Sequence, residues 1–221
     1  MTLILHELAH SPYCLPVKRI LEAWSVPFET RQISAWDRRS LINLTSGAYY
    51  QVPVLEYGDR IVHETAADPL AVAHFLDREF CEGGLFPQEC VGIHELVIGH
   101  IEDKLEGIGF KLSDPYVLDK IEDLGERVMT ARHKERKFGA GCVEKWRQDG
   151  PGLAEEFESA LAPYELRLAH ARHLFAANPV YADFALFGVI GNAEFAGPYE
   201  LDAGLANLRR WRAELRDFSS I

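Results

Sequence analysis

Hydrophobic positions along this 221-residue chain change their period once. Over roughly the first third, short apolar runs alternate with helical spacing. Leu3, Ile4, Leu5 and His6 predict a first strand. Val17, Ile20, Leu21 and Trp24 recur one helical turn apart and predict a helix. Residues 28–33 predict a second strand, ended by Ser34. Val52, Pro53, Val54 and Leu55, then Arg60, Ile61 and Val62, flank Glu56-Tyr57-Gly58-Asp59, a turn between two antiparallel strands. Residues 70–76 predict a second helix, ending at Asp77. The order is β-α-β, then β-β-α, a compact α/β unit over residues 1–78.

Residues 79–87, with Gly83, Gly84 and Pro87, predict a linker. Beyond it strand patterning ends, and residues 88–221 predict an all-helical domain. Ile93, Leu96, Val97, Ile101 and Leu105 form one apolar stripe. Further helices are expected over residues 116–132, 153–176, 180–194 and 205–215.

Composition narrows the function. Apolar residues make up 48% and charged residues 26%, as expected of a chain with a packed core. Acidic residues outnumber basic ones by 34 to 23, for a net charge of -11, which disfavours non-specific nucleic-acid binding. No apolar run approaches the ~20 residues that span a bilayer, and the first residues read as a strand rather than an export signal. Cys14, Cys81, Cys90 and Cys142 form no C-x-x-C pair, and no His/Cys spacing suggests a metal site. These features place the protein in a reducing cytoplasm.

Ser11-Pro12-Tyr13-Cys14 lies between the first strand and the first helix. Thioredoxin-like folds keep their sulfur chemistry at this turn, and the glutaredoxin signature there is C-P-Y-C. Here Ser replaces the first Cys, which argues against a dithiol enzyme and towards binding of an external thiol. Together with Val52-Pro53-Val54-Leu55 and the segment Tyr181-Ala182-Asp183-Phe184-Ala185-Leu186-Phe187, in that order and spacing, the chain resembles the glutathione S-transferase family over nearly its whole length. It looks most like bacterial members with an S-P-Y-C or S-P-F-C turn, related to the omega and zeta classes. The resemblance implies a thioredoxin-like N-terminal domain, an all-α C-terminal domain, glutathione as cosubstrate, a small apolar electrophile as second substrate, and a homodimer.

The resemblance assigns roles residue by residue. Ser11 would donate a hydrogen bond to the glutathione thiolate. A free thiol has a pKa of ~8.5. Lowering it by ~2 units takes ~2.7 kcal/mol, and one hydrogen bond to a charged acceptor supplies ~1.5–3. On the residues alone, Ser11 is equally a helix N-cap ahead of Pro12. Cys14 is the rival nucleophile, or else a small buried apolar residue. Val52-Pro53 resembles the family's cis-proline loop, which pairs with the peptide backbone of glutathione. Gln51 stands where members contact the glycine carboxylate, with Arg38 and Arg39 as alternatives.

The γ-glutamyl site departs from the family pattern of Glu-Ser or Asp-Ser opening the next helix. Counting forward from Pro53 places Glu64-Thr65 there, whereas counting back from Val72 and Phe75 places Asp68-Pro69. Pro69 lacks both a hydroxyl and an N–H. In the helical half the family's S/T-x-x-D capping box keeps Asp183 but has Val180 at the cap, with Asn178-Pro179 as a substitute. The run Arg132-His133-Lys134-Glu135-Arg136-Lys137 either steers an anion or forms a solvated helix face.

Overall fold

The structure, a computed structural model, describes residues 2–220. Four strands form one sheet: β1 (Leu3–Glu7), β2 (Phe28–Gln32), β3 (Val54–Tyr57) and β4 (Arg60–Val62). Their order is β2-β1-β3-β4, with β1 parallel to β2 and antiparallel to β3. Helix α1 (Cys14–Ala23) makes the crossover that a parallel pair requires. A short α2 (Arg39–Leu44), unmarked by any apolar period in the sequence, follows β2. Helix α3 (Ala71–Phe80) closes this half and runs three residues past the expected end at Asp77.

The second half is helical. A 3-10 turn (Gln88–Cys90) leads into α4 (Val91–His100), a π-helical segment (Ile101–Leu105) and α5 (Glu106–Asp119), which run on without a break. Then come α6 (Leu124–Phe138), α7 (Cys142–Gln148), α8 (Gly150–Leu168), α9 (Tyr181–Ala193) and α10 (Ala206–Asp217). No helix among the described residues is long and apolar enough to cross a membrane.

Two expected helices are corrected. The helix expected over residues 116–132 is interrupted between Asp119 and Leu124. Asp123 caps the new helix by accepting the Glu126 N–H at 2.7 Å. An Asp followed three residues later by a Glu is an N-terminal signature, so the break was legible. The helix expected over residues 153–176 starts at Gly150 and stops at Leu168, so His170 and His173 lie in an irregular segment and share no helical face. The apolar stripe of α4 also divides: Ile101 and Leu105 are buried, but Ile93 and Leu96 are exposed.

One hydrophobic core runs through both halves. It joins Leu3, Leu5, Val17, Ile20 and Leu21 to Phe184, Leu186, Trp211 and Leu215. Helix α1 packs directly on α9. Arg19, buried on α1, donates from Nε to the Leu215 carbonyl at 2.9 Å and from a terminal nitrogen to the Phe218 carbonyl. The first turn of α9 has no side-chain cap from Val180. Its N–H groups are satisfied by tertiary partners instead: Tyr181 donates to the Leu85 carbonyl at 2.9 Å, and Ala182 donates to His94 Nε2 at 3.0 Å. Asp183 Oδ2 accepts from the Val180 N–H at 3.1 Å, so the reciprocal half of the capping box survives. Asn178 is not needed for this cap.

Candidate active site

Ser11 sits at the start of α1. Its carbonyl accepts the Leu15 N–H at 3.0 Å, the first i to i−4 bond of that helix. Its Oγ accepts the N–H groups of Tyr13 and Cys14 at 3.3 and 3.4 Å. Ser11 therefore caps the turn through Pro12 and Tyr13 that leads into α1, where the missing N–H of Pro12 is harmless. The cap contacts are long, and as an acceptor Oγ keeps its own proton to donate. Positive backbone dipoles converge on that oxygen, a setting that favours an anion beside it. Capping and thiolate binding are thus compatible in one residue.

Cys14 is fully buried. Burial pushes its thiol up to about 12, against smaller lowering effects from the Ser11 hydroxyl and the Leu8 backbone. A thiol held neutral and away from solvent is a poor nucleophile. It packs with Leu41, Val52 and Val54 instead.

Gln51 and Val52 face Ser11 across a cavity of about 480 Å³. The Val52–Pro53 peptide is cis, the isomer that the resemblance implies, and Pro53 is buried. The cavity lies between the two halves. Its near wall is His10, Ser11, Pro12 and Tyr13, and its far wall is built from α5 and α6. A loop over residues 34–38 closes one side and is fastened to α6. There Glu126 Oε1 accepts from Ser34 Oγ at 2.6 Å and from the Ala35 N–H at 2.7 Å. Arg38 lines the cavity, whereas Arg39 is an exposed partner of Asp37.

The two registers of the γ-glutamyl site prove to describe different features. Asp68 lies in the turn before α3, which starts at Ala71: it accepts the Leu70 N–H at 3.1 Å and pairs with His74 Nδ1 at 3.0 Å. Glu64 lies one turn earlier, in extended chain. Thr65 and Asp68 close on each other, since the Thr65 N–H donates to the Asp68 carbonyl and Thr65 Oγ1 accepts the Asp68 N–H, both at 3.0 Å. Neither the Thr65 N–H nor Asp68 is therefore unoccupied.

Glu64 is half-buried and accepts from the Tyr49 hydroxyl at 3.1 Å. Burial raises its carboxyl from the ordinary 4.5 to about 7. The Glu64 charge acts on Tyr13 and on Glu102 of the π-helical segment. Glu102 is itself raised to about 8, first by burial and then by Glu64, Asp103 and Glu106. Glu64 and Glu102 are both half-buried, and among the described residues neither is ion-paired with a Lys, Arg or His side chain. Sequence reading missed Glu102, because nothing in a helical stripe marks which polar residue turns inward. The sequence pattern gives Tyr13 no role. It lines the cavity, and burial raises its phenol far above the ordinary value, so it stays an O–H donor.

Residues 144–214 match the family model described as the glutathione S-transferase C-terminal domain. No curated protein sequence matches the chain. Solved structures do. The glutathione transferase GSTFuA3 of Phanerochaete chrysosporium is 14% identical with a TM-score of 0.80, covering 100% of this chain and 98% of its own. A glutathione S-transferase of Ceriporiopsis subvermispora, in complex with glutathione, is 14% identical with a TM-score of 0.79 over 99% and 98%. Glutaredoxin 2 of Salmonella typhimurium, also in complex with glutathione, is 17% identical with a TM-score of 0.72 over 98% and 95%. The resemblance seen in the sequence is borne out for the fold and for the family of the C-terminal region.

Proposed function

We propose, from this glutathione S-transferase fold, that the protein is a glutathione transferase whose Ser11 hydroxyl holds the cosubstrate as its thiolate. The observation that carries this reading is the position of Ser11 Oγ. It caps α1, retains a proton to donate, and opens on a cavity between the two halves. Glutathione would lie along the edge formed by Gln51, Val52 and Pro53. Its ammonium would sit between Glu64 and Glu102, and Thr65 and Asp68 would shape that loop rather than touch the ligand.

The thiolate would attack a small electrophile seated against α5 and α6, whose apolar surface includes Phe110 and Val117. The sulfur bonds to the electrophilic carbon, and the leaving group departs with the bonding electron pair. The thiol proton goes to solvent. Tyr13 would be a second donor facing the same space.

A thiol-transferase working through Cys14 is the rival reading, favoured by the likeness to a glutaredoxin. The burial of Cys14 opposes it. A catalytically silent binding protein would keep glutathione affinity without turnover. The exposed apolar side chains of Val91, Ile93 and Leu96 on α4 support a homodimer. Four unpaired cysteines support a reducing, cytoplasmic setting.

Calorimetric titration with glutathione tests the reading at its base. Micromolar to millimolar binding is expected, with conjugation of an activated chloroarene lost in Ser11→Ala. Failure to bind at millimolar glutathione would remove the proposal.

A further inference from the structure

The basic run of α6 was a candidate for a solvated helix face. The structure turns part of it inward. His133, Lys134 and Lys137 line the Ser11 cavity, and Arg38 faces them from the loop over residues 34–38. In a protein of net charge -11, four basic side chains on one cavity need a cause.

Their partners separate them. Lys134 pairs with the buried Asp114 and lies 4.9 Å from the centre of the Phe110 ring. Burial and the neighbouring cations lower the His133 pKa, which disfavours a charge on it. Arg38 is different. One of its terminal nitrogens donates to the Ala35 carbonyl at 3.3 Å, while the other is buried without a partner. Among the described residues no carboxylate lies within ion-pair distance of Arg38 or Lys137. Thr130 Oγ1, on the same wall of α6, is also buried without a partner. A half-buried guanidinium with an unused donor and no counter-ion is costly until an anion reaches it. The acids around the cavity make no ion pair with Arg38 or Lys137: Asp114 is taken by Lys134, Glu126 acts on Arg38 only at longer range while its Oε1 accepts from Ser34 and Ala35, and burial raises the Glu106 carboxyl against the opposing effect of Lys134 and Lys137.

We infer that the electrophile carries an acidic group, a carboxylate or a chemically similar anion, received by Arg38 and Lys137 with the Thr130 hydroxyl as a further donor. The inference rests on the conjugation proposed above and names its second substrate as an apolar body with an anionic end. The apolar body would rest on Phe110, Phe138 and Val117, and the anionic end would point away from Ser11 towards α6. The expectation of a purely apolar electrophile is thereby narrowed.

The test uses a matched pair, 4-chloro-3,5-dinitrobenzoate and the uncharged 4-chloro-3,5-dinitrobenzamide. In each the glutathione sulfur displaces chloride from the ring. With rates divided by the uncatalysed ones, the wild-type protein is expected to favour the benzoate about ten-fold in kcat/KM, chiefly through KM. That ratio should fall towards one in Lys137→Met, in Arg38→Met, and in about 0.5 M salt. Lys137 is exposed, so its truncation leaves folding intact. A wild-type ratio near one, or a ratio unchanged in both variants, overturns the inference. So does Arg38→Met weakening glutathione binding with the ratio unaltered, which would give Arg38 to the glycine carboxylate. Separate titrations with glutathione and with the benzoate keep the two readings apart. Glutathione binding without benzoate preference sinks the acidic electrophile alone. Benzoate binding without glutathione binding sinks the conjugation, and the electrophile with it.

Discussion

Gly188 of α9 lies against the carbonyl of Pro12. A Cβ at position 188 would stand 2.4 Å from that oxygen and 2.5 Å from Pro16 Cδ. Pro16 has no N–H to give the Pro12 carbonyl, so the first turn of α1 is irregular by sequence. The absence of a side chain at Gly188 lets α9 close on that turn. Asn192, one turn on, donates from Nδ2 to the His10 carbonyl at 2.6 Å. The helix start that carries Ser11 is thus held by the other half of the chain.

Gly188→Ala is therefore expected to overpack a site made of backbone. Destabilisation of about 1–3 kcal/mol is predicted by denaturant unfolding, with turnover falling more than stability alone explains, because Ser11 is displaced. An unchanged midpoint would mean that the two helices separate freely.

Ser11→Ala should raise the pKa of bound glutathione thiol by about 1–2 units and lower turnover at pH 7 by about 10- to 100-fold. Ultraviolet absorbance of the bound thiolate, followed against pH, reads the shift directly. Cys14→Ala should leave that titration in place. Reversed results for the two variants would favour thiol transfer through Cys14.

Glu64 gives a pH-dependent signature. Its carboxyl is raised from 4.5 to about 7 because burial penalises the charge. The folded state thus holds a proton that the unfolded chain has released. Its stabilising effect is full below about 4.5, declines as pH rises, and is gone above about 7. Glu64→Gln removes this decline, so the variant should gain melting temperature relative to wild type at pH 8 and not at pH 4. Glutathione affinity should change oppositely. In the wild type it strengthens between pH 6 and 8 as the carboxylate forms, and in Glu64→Gln it stays weak and flat. An affinity insensitive to the substitution would remove Glu64 from the ammonium site.

Asp183 is buried and accepts three hydrogen bonds, from the Leu174 N–H at 3.0 Å, the Val180 N–H at 3.1 Å and Trp211 Nε1 at 2.9 Å. Asp183→Ala leaves three buried donors without an acceptor, at about 1–3 kcal/mol each before relaxation. Loss of soluble expression or a fall of at least about 3 kcal/mol is expected. Asp183→Asn, which keeps one acceptor, should be less affected.

The exposed pair Ile93 and Leu96 tests the homodimer. Leu96→Glu should halve the mass seen by sedimentation if these side chains are covered by a second copy. A wild-type chain already monomeric at high micromolar concentration would retire that reading.

The strands and the first helix were legible because their apolar residues repeat at two and at about 3.6 positions, as Leu3, Leu5, Val17, Ile20 and Leu21 do. The Ser11 turn was legible because Pro12 and the missing first Cys are local chemistry. Two helix boundaries were misplaced where apolar spacing continued through a local stop, at Asp123 and after Leu168. The γ-glutamyl ambiguity came from counting the approach to a helix and an earlier loop as one object, and the four-position offset from Glu64 to Asp68 separates them.

The sequence by itself determined the order of elements, the strand-turn-helix around Ser11 and the hairpin after Pro53, because each depends on residues adjacent in the chain. Only the tertiary structure decided which charges face the cavity. Arg38, Lys134 and Lys137 lie on segments remote from Ser11 in sequence, and a polar residue on a helix carries no local mark of what will pack opposite it. The packing of the helical half decides that, with α9 seated on α1 through contacts such as Gly188 on Pro12 and with α5 packed on α9.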